Sequence, residues 1–74
     1  MNKDIRNWME KEAKFYDVRI KFKPDSIVEL DAHVSNSQGM LVVLSLFDPF
    51  WRVTTVKSHL EHGDVRFVVF ATLQ

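Results

Sequence analysis

Residues 27–47 constrain this chain more than any other stretch. They read Ile-Val-Glu-Leu-Asp-Ala-His-Val-Ser, then Asn-Ser-Gln-Gly, then Met-Leu-Val-Val-Leu-Ser-Leu-Phe. In the first part Val28, Leu30, Ala32 and Val34 alternate with Glu29, Asp31, His33 and Ser35. A period of two sends the two sets to opposite faces of a strand. Asn36 and Gly39 suit the first and fourth positions of a type I turn, with Gly39 taking the left-handed conformation of a three-residue hairpin loop. The expectation is a β-hairpin that pairs Leu30 with Leu46, Ala32 with Leu44 and Val34 with Val42. Its second strand, apolar on the other face through Leu41, Val43 and Phe47, belongs inside a sheet with cover on both sides.

The other segments are placed against this hairpin. Residues 3–16 read as a helix with Ile5, Trp8, Met9, Phe15 and Tyr16 on its apolar face, Asn2 as N-cap and Asp4 opposing the macrodipole. Glu12 falls within that stripe and is expected to reach its rim or to meet a cation of the sheet. Val18, Ile20 and Phe22 alternate with Arg19, Lys21 and Lys23, as in a half-buried strand whose lysines guard an edge. Lys23-Pro24-Asp25-Ser26 is a turn. Residues 48–63 fit two readings. Asp48-Pro49 and Gly63 suit the ends of a helix, whereas Val53-Thr54-Thr55-Val56 is a β-branched run that favours a strand. Turn signals near 24, 37, 49 and 62 are evenly spaced, which favours consecutive hairpins. The last segment, from Val65 to Leu73, is apolar on both faces.

The expected fold is α+β, one domain over residues 1–74. An N-terminal helix packs on a curved antiparallel β-meander of four to five strands, and the alternative is a second helix at 49–62. In a meander the last strand is an exposed apolar edge, a liability that sheet closure or a second chain removes. Val65, Phe67, Val68, Val69 and Phe70 are therefore self-association candidates for a homodimer.

Composition bounds function more than it defines it. With 74 residues, only about 60% of the unfolded surface can be buried, so stability is thin. There is no Cys, hence no disulfide, thiolate nucleophile or Cys-based zinc site. Ten basic and ten acidic residues cancel, which is weak for a nucleic-acid binder. No apolar run follows the first charges and none approaches a membrane span, so cytoplasmic residence without a membrane is the expectation.

Candidate sites are few. Glu29, Asp31 and His33 share a strand face at metal-ligand spacing, although a solvated face has the same pattern. His59 and His62 lie near a turn. No Gly-rich phosphate loop and no motif surrounds the Ser and Thr residues, so neither an enzyme nor a cofactor is expected. Arg52, Lys57, His59 and Arg66 align on one face of the last hairpin with Phe70, an arrangement that could track a nucleic-acid strand. Phe47, Phe50 and Trp51 bracket a turn. They form either a core plug at one end of the sheet or, with Arg52, an aromatic anchor for a protein partner. The functional expectation is a small non-enzymatic protein-binding module, an inhibitor or adaptor acting on a larger macromolecular machine. Phage and mobile-element anti-defence proteins such as anti-CRISPRs belong to that class. The alternative is a small nucleic-acid-binding β-sheet.

Overall fold

The computed structural model describes residues 3–74. Helix α1 (Lys3–Phe15) leads into strands β1 (Arg19–Lys23) and β2 (Ile27–His33). Helix α2 (Ser37–Leu46) follows, then β3 (Trp51–Glu61) and β4 (Asp64–Leu73), with single 3-10 turns at Val34–Asn36 and Asp48–Phe50. The strands form one antiparallel sheet in the order β1-β2-β4-β3. The fold is α+β, with the N-terminal helix on an antiparallel sheet of four strands.

Two sequence expectations are corrected, and one choice between readings is decided. First, residues 40–47 are not a strand, because the second half of the expected hairpin is α2. Asn36 does not open a β-turn. It caps α2, its Oδ1 accepting from Gly39 N at 3.3 Å while its Nδ2 donates to Tyr16 O at 2.7 Å. Asn-x-x-Gly satisfies a type I turn and an N-cap equally, and a segment apolar on every face carries no period to choose between them. The pairings of Leu30, Ala32 and Val34 with residues of 42–46 therefore do not exist. Second, of the two readings of residues 48–63 the favoured strand holds: the region is β3 after one 3-10 turn, and the alternative helix at 49–62 does not form. Third, the sheet is not a meander. β2 and β3 run in the same direction with α2 as their crossover, and β4 returns between them, a split β-α-β arrangement. The two-sided apolarity of β4 thus belongs to an interior strand.

The helices cover one face of the sheet. Met40 and Val43 of α2 and Phe47 at its C-cap enter the core at helical spacing, beside Met9 and Ala13 of α1. Val28, Leu30, Ala32, Val69 and Ala71 meet them from the sheet. Phe15, expected on the inner face, is exposed: it lies about 120° around the helix from Met9. Glu12 is half-buried on the flank of the stripe. The Asn2 cap lies outside the described residues.

Gly39 has a different role from the one its turn reading implies. Its backbone is not left-handed, but a Cβ there would lie 2.5 Å from Tyr16 O and 2.6 Å from the Asn36 amide. Glycine is needed so that α2 can approach the end of α1. Gly63, by contrast, has φ +84 and follows His62 at φ 50, the two positive angles of a type I′ hairpin turn between β3 and β4.

Candidate functional site

The aromatic cluster sits at one end of the core. Trp51 pairs with Leu73 on the helix-covered face and is 4% exposed, and Phe47 is fully buried. Phe47 meets Trp51 edge-on at 5.5 Å and Trp8 at 4.8 Å, and Trp8 meets Phe50 at 6.1 Å. The Trp51 Nε1 is buried without a hydrogen-bond partner among the described residues. Strand alternation sends Arg52 the other way, onto the opposite face beside Thr72. The proposed anchor is corrected accordingly: Phe47 and Trp51 close the core, Phe50 is half-buried against Trp8, and only Arg52 is exposed.

The face of the sheet turned away from the helices is open, and its side chains form a charge network. Asp31 is the hub. Its carboxylate accepts from Arg66 and lies 3.0 Å from Arg19, whose guanidinium also reaches Glu61 at 3.1 Å. Burial of Asp31 would raise its pKa, but the hydrogen bonds from Arg66 and Arg19 and their charges hold it below the ordinary carboxylate value. The same contacts raise the pKa of Arg19, with the Asp31 hydrogen bond the largest cause. Glu29 is paired with Lys23 at 3.2 Å, and His33 Nδ1 lies 2.7 Å from Ser35 Oγ. The carboxylates of the Glu29-Asp31-His33 set thus face cations. Among the described residues no cluster of His, Asp and Glu is arranged to hold a metal ion.

Phe70 lies at the middle of this open face, with Lys57 Nζ 5.2 Å and Lys23 Nζ 5.8 Å from its ring centre. The register also places Arg52, His59 and Arg66 here, as the sequence pattern predicts. A shallow depression of about 320 Å³ runs past Phe70 between Lys21, Lys57, Glu29 and Glu61.

A second uncovered surface is apolar. Between Val34 and Phe47 the chain carries no charged residue. The inner face of α2 fills the core, which leaves Leu41 (62% exposed), Val42 and Leu46 pointing outward. A groove runs from Leu41 and Leu44 past Ser45 to Val53 and Asp48, at the start of β3. Farther along β3, Val56 and Leu60 stand on the helix side of the sheet but beyond the helices, 61% and 69% exposed. The helices pack chiefly on β1 and β2.

No family model, curated protein or solved structure matches this chain. No helix among the described residues is long and apolar enough to cross a membrane.

The self-association candidates are dispersed by the structure. Val68 and Val69 are buried, Phe67 and Phe70 are half-buried on opposite faces, and Val65 alone is exposed. Both edges of β4 are paired, so the free edge expected there belongs to β3. The exposed residues Leu41 and Val42 belong inside a covered sheet on the sequence pattern. One signal pointed outward: a helix apolar on every side cannot bury its whole circumference against a single sheet.

Proposed function

We propose that this protein is a non-enzymatic protein-binding module whose docking surface is the outer face of α2. The observation that carries this reading is the uncharged α2 with Leu41, Val42 and Leu46 exposed beside the groove to Val53. Contiguous exposed apolar residues mark interaction sites on small proteins, and a groove along a helix suits an amphipathic helix from a partner. Asp48 at the end of the groove calls for a basic residue on that partner. A rigid module of this kind acts as an inhibitor or adaptor by occupying a surface on a larger protein.

The test compares variants in co-purification from host extract. A protein retained by the wild type should be lost with Leu41→Lys and Val42→Lys and kept with Lys21→Glu, all three variants remaining folded. Retention that is indifferent to the α2 variants would overturn the assignment.

A second reading, a nucleic-acid-binding sheet, is favoured by the placement of Arg52, Lys57, His59 and Arg66 around Phe70 on one open face. It stands second because Arg66 is held by Asp31, and Glu29, Asp31 and Glu61 line the same depression. A phosphate-driven complex would weaken steeply with salt and would be lost with Lys57→Glu.

A further inference from the structure

We propose that a second copy of this chain pairs antiparallel with the free edge of β3. The site is separate from the outer face of α2, so either assignment can fail alone. β3 spans Trp51–Glu61 and, among the described residues, is paired on one side only, by β4. Its other side presents an open row of backbone donors and acceptors, a template for a further strand. The irregularity between Val53 and Thr55 interrupts only the beginning of β3, and the ladder is regular from Thr55 to Glu61. The opposite edge of the sheet does not offer the same opportunity. β1 covers only Arg19–Lys23, and Arg19, Lys21 and Lys23 would meet like charges in a second copy.

The β3 edge is complementary to itself. An antiparallel pair centred on Ser58 sets Val56 opposite Leu60 of the second copy, twice over, on the side of the sheet where both are exposed. On the open face it sets Lys57 opposite His59, with Glu61 and Lys57 of the second copy at its two diagonals. A one-residue shift would set apolar side chains against the charged face and is disfavoured. Equal numbers of acidic and basic residues leave no net charge to oppose association. The pairing is a two-fold contact in which residue i of one copy meets j of the other and j meets i, and Ser58 alone meets its own counterpart. The resulting sheet is continuous across both copies. An interface of one strand from each copy belongs to the small, transient class, so the dimer forms in a concentration-dependent way.

The absence of cysteine makes the register testable. Opposed residues of an antiparallel pair lie at Cα distances of about 4.5–5.5 Å, within disulfide reach. Ser58→Cys should therefore oxidise to a covalent dimer at micromolar protein, and Lys21→Cys should remain monomeric under the same conditions. Sedimentation of the wild type between about 5 and 500 µM should show a rising mass that approaches twice the monomer. Val56→Lys and Leu60→Lys change exposed positions and should stay folded by circular dichroism, while association weakens at least tenfold. A wild type that is monomeric throughout overturns the proposal. So does a dimer that survives both lysine variants or fails to cross-link at Ser58.

Discussion

Trp51 shows how far a residue's role depends on one strand position. It follows an Asp-Pro turn, where exposed aromatics serve as binding anchors, and the sequence alone supports that reading as readily as a structural one. Register decides the matter. Trp51 stands opposite Leu73 on the helix-covered face, against Phe47, and Arg52 is the residue sent outward. The indole nitrogen is then buried without a partner among the described residues, an arrangement that costs stability. Trp51→Phe should retain the edge-on packing and remove that donor, leaving unfolding free energy within about 1 kcal/mol of wild type. Trp51→Ala should lose about 3–5 kcal/mol, close to the whole stability of so small a domain. Urea unfolding of the two variants checks this, and a wild-type midpoint for Trp51→Ala would contradict the buried position.

At the scale of elements, what was legible in the sequence had a clear period or a β-branched run that outweighed an ambiguous turn. α1, β1 and β2 alternate polar and apolar residues at the period of their structure. The β3–β4 hairpin carries a β-branched run and a His62-Gly63 turn with both residues at positive φ. α2 was illegible because Met40 to Phe47 is apolar in both periods. As the crossover between β2 and β3, α2 sets the central position of β4 and the free edge of β3, so neither is legible without it. Gly39 preserves the physical reason for α2. At the first turn of the helix it lets the backbone pass the Tyr16 carbonyl, where a Cβ would lie 2.5 Å away. Gly39→Ala should therefore destabilise the protein by about 1–3 kcal/mol, although alanine is the better helix former. A hairpin turn would predict a milder loss confined to left-handed strain. Thermal melts of Gly39→Ala beside Gly63→Ala separate the two, because Gly63 has open space for a Cβ and only its φ to lose.

For the whole molecule, the two faces of the sheet are stabilised by different physics. Helices and aromatic rings cover one face. On the other, Arg19 of β1, Asp31 of β2, Arg66 of β4 and Glu61 of β3 join all the strands through ion pairs. Asp31 is the member that matters most, because its side chain is 12% exposed and Arg66 beside it is 16% exposed, whereas Arg19 is half in solvent. Breaking a largely buried pair leaves a charge uncompensated, so Asp31→Asn should cost about 2 kcal/mol or more at neutral pH. Arg19→Ala should cost under about 1 kcal/mol, as exposed pairs do. The pH dependence follows from the direction of the Asp31 shift. Its pKa is lowered on folding, so its contribution is fully present above the ordinary carboxylate pKa, near 3.9. That contribution is lost as pH falls through the lower folded value. Wild-type stability should therefore drop between about pH 5 and pH 2 more steeply than that of Asp31→Asn. The two melting curves should converge at the acid end. Parallel curves down to pH 2 would mean that Asp31 does not organise the open face.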